Sequence, residues 1–159
     1  MLCAWPYVQR PEMTRMINLE LIRQLNDQIM FSLERIDALR WKALPGAIVY
    51  DDTGASRPQP TNKLERIFEM IDTEERKVNH LIDKRYKLKC EAVDAIQHSD
   101  LEIAARHILY LRYLGTDQDG RSLDWRRVIF YVNKYHNIQR SKIYKIHHDA
   151  VRIIKHYHI

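Results

Sequence analysis

The sequence predicts an all-α protein, in which a long antiparallel helical hairpin precedes a three-helix domain that contains a helix-turn-helix. Three observations predict it. The chain of 159 residues has only four glycines and five prolines, and most of them fall in two short zones. Lys, Arg, Glu, Leu, Ile and Ala dominate the remainder, which favours helix over sheet. Apolar residues recur in steps of three and four, the spacing of a helix face.

The first long helix is expected over residues 14–43, after an N-terminus (residues 1–13) that we predict to be poorly ordered. Thr14 is a candidate N-cap, because its hydroxyl can accept from a free N–H of the first turn. The apolar positions form a narrow seam suited to helix–helix packing. They are Ile22, Leu25, Ile29, Leu33, Ile36 and Leu39, with Ala43 as a possible last step.

Residues 44–60, "LPGAIVYDDTGASRPQP", are predicted to be a loop because they collect glycines and prolines. The "DDTG" within them could mark an acidic site, but no histidine or further carboxylate cluster accompanies it, so a solvated turn is favoured. A second helix is predicted from Asn62 to about Gln97. The two helices should fold back on each other, so that residues 14–97 form the hairpin. Its remaining apolar surface would serve a second copy of the chain or another protein.

Residues 98–159 are predicted to form the three-helix domain. "SDLE" (Ser99 to Glu102) matches a capping box, which would start a third helix that ends near Gly115. A fourth helix, roughly 123–135, begins at Ser122 or Asp124. A short turn then leads to a fifth helix over 139–157. The short spacing of the last two helices is typical of a helix-turn-helix.

Charge is distributed unevenly along the chain, whose formal net charge is +5. Residues 121–159 contain nine Lys and Arg against two Asp, a net +7, which leaves −2 for residues 1–120. A basic end on an otherwise slightly acidic chain indicates a polyanionic partner. A charged helix face is more often only a solvated face, but this one is nearly one-signed and follows a helix-turn-helix spacing, so DNA binding is favoured.

The fifth helix divides into an apolar and a basic side when plotted at 100° per residue. The apolar side comprises Ile143, Ile146, Ala150, Ile154 and Tyr157. An α-helix fits the major groove of duplex DNA, with its N-terminal residues nearest the bases. The predicted DNA-reading residues are Gln139, Arg140, Ser141, Lys142, Tyr144, Lys145 and His148. Those predicted to hold the phosphate backbone are Arg126, Arg127, Lys134 and Arg152.

The histidines and tryptophans allow competing interpretations. His147-His148 and His156-x-His158 could suggest metal ligands, but no carboxylate or cysteine completes such a site. His147 borders the apolar side and is better explained as a packed histidine. Trp125 and Tyr113 are expected to anchor the core rather than stack on bases. Trp41 could pack the hairpin or contact a partner.

Several function classes have no motif in this sequence. It has no Gly-rich phosphate loop, nucleophile elbow or metal motif, which predicts a non-enzyme without a cofactor. No apolar run has the length of a membrane span, and the first residues lack a signal-peptide pattern. Cys3 and Cys90 have no metal-ligand spacing. Free thiols in a reducing cytoplasm are therefore expected.

The C-terminal region resembles the promoter-reading region 4 of bacterial sigma factors. The resemblance is carried by "HILYLRYLG" and by "LDWRRVIFYVNKYHNIQRSKIYKIHHDAV". Residues 137–140 match the turn and cap, Ile143 and Ile146 match core positions, and residues 150–151 match the final Ala-Leu. Asn137 stands where that pattern has Gly, and Gln139 where it has Ser. The chain also resembles phage late transcriptional activators (RinA/ArpU-like), over most of residues 14–155.

That resemblance implies a phage or prophage regulator that binds double-stranded DNA and activates late or packaging genes through host RNA polymerase. The hairpin would dimerise, form a higher oligomer, or contact the polymerase. Two alternatives stay open. One is a small DNA-packaging protein similar to a terminase small subunit, and the other is a helical adaptor or antagonist of RNA polymerase.

Overall fold

The computed structural model describes residues 16–44 and 61–156 of the chain. Five helices occupy this part: α1 (Leu19–Ala43), α2 (Thr61–His98), α3 (Ile103–Leu109), α4 (Trp125–His136) and α5 (Arg140–Lys155). A π-helical turn, Tyr110–Leu114, extends α3. The described residues contain no strand, only an isolated bridge between Thr116 and Ser122. The all-α prediction is confirmed.

Several predictions fall outside the described residues. They concern the N-terminus over residues 1–13, the Thr14 cap, the loop from residue 45 to 60, and the last residues Tyr157 and His158. Met16 to Asn18 are described and are not helical, so the first helix is shorter than predicted. It begins at Leu19 because the Asn18 side chain caps it, accepting from the Leu21 N–H at 3.2 Å.

Helices α1 and α2 form an antiparallel hairpin, as the loop between their apolar patterns predicted. Arg40 near the end of α1 pairs with Glu75 of α2 at 2.8 Å, whereas Arg85, farther along α2, hydrogen-bonds Asn26 near the start of α1. A buried seam joins the two helices. It consists of Ile29, Ile36, Leu39, Ile67, Ile71 and Val78.

One seam position was predicted wrongly. Leu33 is 39% exposed, whereas Ser32, one residue earlier, is 1% exposed. The seam advances by three residues from Ile29 to Ser32 and then by four to Ile36, so the small hydroxyl side chain occupies the step assigned to leucine. Leu33 therefore adds to the hydrophobic surface on the flank of the hairpin.

The predicted capping box between α2 and α3 does not form. The buried Ser99 hydroxyl donates to the Ile96 carbonyl at 3.0 Å, so it closes the end of α2 instead of capping α3. Glu102 occupies the N-cap position of α3 without a side-chain hydrogen bond. The Arg106 guanidinium donates to the Ser99 carbonyl at 2.8 Å and so stabilises the turn between α2 and α3. The sequence pattern is present, but the serine belongs to the preceding helix.

The base of the hairpin and the C-terminal helices share one hydrophobic core. Its members come from the start of α1, the end of α2, α3 with its extension, and α5. They are Ile17, Leu19, Ile22, Ala92, Ala95, Ile96, Leu101, Ala105, Leu109, Tyr113, Ala150 and Ile154. Helix α5 therefore packs against the same buried cluster that closes the base of the hairpin.

Hydrogen bonds also join the hairpin to the C-terminal region. The buried Asn26 amide donates to the Gly120 carbonyl at 3.0 Å and to the Ser122 hydroxyl at 3.2 Å. Its side-chain oxygen accepts from Arg85 of α2. Lys89 of α2 donates to the Leu114 carbonyl at 3.1 Å. These contacts fix the loop between α3 and α4 against the side of the hairpin.

Candidate nucleic-acid interface

Helices α4 and α5 are joined by a turn of three residues, Asn137 to Gln139. The Asp124 carboxylate caps α4 by accepting from the Arg127 N–H at 2.9 Å, which confirms Asp124 as one of the two predicted start points. Asn137 adopts the left-handed conformation with φ of 51°. Asparagine tolerates this conformation better than most residues with a side chain, and it ends α4 in the place usually taken by glycine.

The apolar side of α5 packs inward largely as predicted. Ile143, Ala150 and Ile154 are at most 1% exposed, and Ile146 is half-buried. Ile143 joins a small core with residues of α3, α4 and the loop before α4, namely Ile108, Leu123, Val128 and Val132. Because both α4 and α3 support α5, its outer side is held in a fixed orientation.

An aromatic cluster lies between α3, α4 and α5. The His147 ring stacks on Tyr113 with centroids 5.7 Å apart and meets Trp125 edge-on at 4.8 Å. The Tyr113 hydroxyl and His147 Nε2 are 2.9 Å apart, a hydrogen-bonding distance. Burial, together with the nearby Arg112 and His148, lowers the pKa of His147 to about 4. The predicted packed histidine is confirmed, as are Tyr113 and Trp125 as packing anchors.

The predicted DNA-reading residues lie together on the solvent side of α5 and its preceding turn, with one exception. Six of them are exposed: Gln139, Arg140, Ser141, Lys142, Lys145 and His148. The exception is Tyr144, which is half-buried because its ring packs on Trp125 with centroids 4.8 Å apart. The Arg140 guanidinium lies 5.8 Å from the Tyr144 ring centroid. Tyr144 is therefore a support for Arg140 rather than a free side chain.

The four predicted phosphate-holding residues are all exposed, but they differ in how they are paired. Arg127 forms an ion pair with Asp117 at 2.9 Å, so part of its charge is already neutralised. Backbone N–H donation from Arg121, followed by Arg127 and Asp119, lowers the pKa of Asp117 and keeps it ionised. Within the part of the chain that the structure describes, Arg126 and Arg152 have no ion pair. Lys134 lies 5.6 Å from the Tyr135 ring centroid.

The outer side of α5 is strongly positive. Residues 140–155 carry five Lys and Arg and one acid, Asp149, whose carboxylate lies 3.7 Å from His148. Across residues 16–44 and 61–156, no acid forms an ion pair with Lys142, Lys145 or Lys155. Since unpaired cations on one side of a helix repel each other, this arrangement favours a polyanion as a ligand.

Sequence reasoning missed a group of exposed aromatic residues on α4. Phe130 is 65% exposed, Tyr135 64% and Tyr131 39%. The signal was available for Phe130, which lies opposite the buried Val128 and Val132 on a helical wheel, whereas Tyr135 lies on the side of Val128 and is exposed near the end of α4.

Comparisons with known proteins identify no relative of this chain. No protein-family model, curated protein or solved structure matches it. None of the described helices combines the length and apolar character needed to cross a bilayer. Among the described residues, no three His, Cys, Asp or Glu side chains are grouped in a way that could hold a metal ion.

Proposed function

We propose that this protein binds double-stranded DNA through α5 and regulates transcription. The single observation that carries the proposal is the outer side of α5, where exposed cations follow a three-residue turn and meet almost no acid. In a helix-turn-helix, the second helix enters the major groove while the first crosses the backbone. Here α5 is the recognition helix and α4 is its partner.

In this proposal, the residues divide by role. Arg140, Ser141 and Lys145 lie on the N-terminal half of α5, nearest the base edges, where Arg and Lys side chains recognise guanine. Arg126 and Arg152 bind phosphates, which orient the protein without specifying sequence. Arg127 contributes less than the sequence suggested, since Asp117 already holds it.

We further propose that the protein is of phage or prophage origin and activates late genes, as its resemblance to late transcriptional activators implies. The hairpin then presents a surface to RNA polymerase or to a second copy of the chain. Large apolar side chains outside its seam offer such a surface. They include Leu33, Phe68, Ile82 and Tyr86, each at least 38% exposed.

The test begins by selecting bound sequences from random DNA duplexes with the full chain. Affinity for the selected duplex is then measured by fluorescence anisotropy at several salt concentrations. If about five cations meet phosphates, log affinity should fall with log salt at a slope of about −4.5. Arg140→Ala and Lys145→Ala should each weaken specific binding by about 1–3 kcal/mol if they contact bases. Lys87→Ala, an exposed cation on α2, is the matched control and should bind as wild type.

A salt slope near zero would remove the electrostatic basis of the proposal. Footprints that do not change in Arg140→Ala and Lys145→Ala would reject the assigned reading side. Ring-shaped oligomers would favour the alternative of a packaging subunit. Failure to shift any duplex at low salt, together with capture of RNA polymerase, would favour a protein-interaction module instead.

A further inference from the structure

The outer face of α4 combines exposed aromatic rings with cations. We define this aromatic–basic face by Arg126, Phe130, Tyr131 and Lys134. It lies opposite Val128 and Val132, which are 0% exposed and pack on the neighbouring helices. Two large aromatic side chains, Phe130 and Tyr131, are thus left in solvent by the fold itself.

The rings of this face have few partners within the protein. Phe130 and Tyr131 meet each other edge-on with centroids 5.5 Å apart. Neither belongs to a core cluster of the described residues. Burying such rings would stabilise the fold, and the protein forgoes that stabilisation here. Such a surface is typical of a binding site.

The charge of α4 restricts the kind of partner. Its twelve residues include Arg126, Arg127 and Lys134 and no acid. The only carboxylates that line the adjoining cavity are Asp117 and Asp119, and Asp117 is already paired with Arg127. Cations interleaved with exposed aromatic rings fit a polyanion that also carries flat aromatic groups. Unpaired nucleic acid has this chemistry, since its bases stack on aromatic side chains while its phosphates meet cations.

An open cavity of about 720 Å³ adjoins the aromatic–basic face. Phe130 and Tyr131 line one side of it, together with Arg126 and Arg127. Its volume falls in the range of sites for small organic ligands, so an extruded nucleotide would fit. Thr116 and Gln118 also line it and carry groups that can hydrogen-bond the edge of a base.

We propose that the aromatic–basic face binds single-stranded nucleic acid, with bases stacked on Phe130 and Tyr131 and phosphates held by Arg126 and Lys134. Arg126 and Lys134 come four residues before and four residues after Phe130, on the same side of α4 and about 6 Å away along the helix axis, from a rise of 1.5 Å per residue. A base stacked on Phe130 is therefore flanked by two cations that can hold the adjoining phosphates. This activity goes beyond duplex recognition, because its stacking rings lie on α4 and not on the basic side of α5; Arg126 would serve in both.

The experiment uses the full chain and a fluorescein-labelled oligothymidylate of twelve nucleotides, which forms no duplex. Anisotropy titrations at low salt should show binding by the wild type. Phe130→Ala and Tyr131→Ala should each weaken it about tenfold, within the range measured for removal of a stacking ring. Phe130→Leu should weaken binding similarly, because leucine keeps apolar area but has no ring. Phe130→Trp should bind as tightly as wild type, because it keeps an aromatic ring. Phe31→Ala is the matched control, since Phe31 is 66% exposed on α1.

The same variants are also titrated with the selected duplex, which separates this proposal from the preceding one. Lys145→Ala should weaken duplex binding and leave oligothymidylate binding within twofold of wild type. Three results would overturn the proposal: no binding of oligothymidylate by the wild type, wild-type affinity in Phe130→Leu, or equal losses in Lys145→Ala and Phe130→Ala. Loss of a bound polypeptide in Phe130→Ala, with oligothymidylate binding unchanged, would assign the face to a protein partner instead.

Discussion

The packed His147 ring makes fold stability sensitive to acid. Burial holds its pKa at about 4, against 6.5 for the free side chain. Between these values, the unfolded chain binds a proton that the folded protein does not, so acid favours unfolding. The contribution of the neutral ring is complete above pH 6.5 and is lost as the pH falls toward 4. A fully enclosed ring with this pKa would contribute about 3.5 kcal/mol, at about 1.4 kcal/mol per pH unit.

Solvent screening reduces that contribution because the His147 ring is only partly buried. We therefore expect about 1.5 kcal/mol. The assay is urea unfolding of wild type and His147→Gln at pH 7 and at pH 4, monitored by circular dichroism. Glutamine keeps a hydrogen-bonding group near Tyr113 but binds no proton. The stability difference between wild type and His147→Gln should shrink by about 1.5 kcal/mol from pH 7 to pH 4.

The matched control is His80→Gln, which removes an exposed imidazole on α2 and should keep the acid sensitivity of the wild type. Other groups also titrate between pH 7 and pH 4, so only the comparison of variants isolates His147. An equal loss of stability in wild type and His147→Gln on acidification would refute the reasoning. Such a result would mean that burial does not lower the pKa of His147, because Tyr113 and Trp125 pack loosely around its ring.

Two further predictions concern the contacts that place the helix-turn-helix. Asn26→Ala removes two neutral hydrogen bonds and one from Arg85, and we expect a loss of about 3 kcal/mol in urea unfolding. The exposed Asn79→Ala should stay within about 0.5 kcal/mol of wild type, and equal effects of the two substitutions would contradict the assignment. Asp124→Ala should cost about 1 kcal/mol in the same assay through loss of the α4 cap, and Asp124→Ser should recover most of it. Failure of serine to recover stability would reject the capping explanation.

Much of the helical architecture could be predicted from local patterns. The bounds of α2 and the apolar side of α5 follow from apolar periodicity, and Asp124 follows from its place before an apolar run. The seam position at Ser32 could not be predicted in this way, because a step of three or four residues fits Leu33 almost as well. Packing against α2 determines whether Ser32 or Leu33 lies in the seam, and the local sequence pattern does not contain that information.

The capping box that does not form at Ser99 and the half-buried position of Tyr144 have a shared cause. A serine between two helices can hydrogen-bond either of them, and a tyrosine on a helix surface can be exposed or packed. The neighbouring residues in the folded structure determine which arrangement occurs. The Ser99 hydroxyl reaches back to Ile96 because α2 continues to His98, and the Tyr144 ring turns toward Trp125 because α4 brings that tryptophan within 4.8 Å. Both features depend on contacts between elements, which a capping motif or a helical wheel does not include.

The shared core links the two ends of the molecule in a way that bears on the proposed function. Ala150 and Ile154 of α5 pack in the same cluster as Ile22 of α1 and Ala95 of α2. Helix α3 and its extension Tyr110–Leu114 lie between them, packing on the hairpin on one side, while α3 packs on α5. A shift at the base of the hairpin would therefore reach α5 through this cluster. The orientation of the basic side of α5 thus depends on how the base of the hairpin is packed.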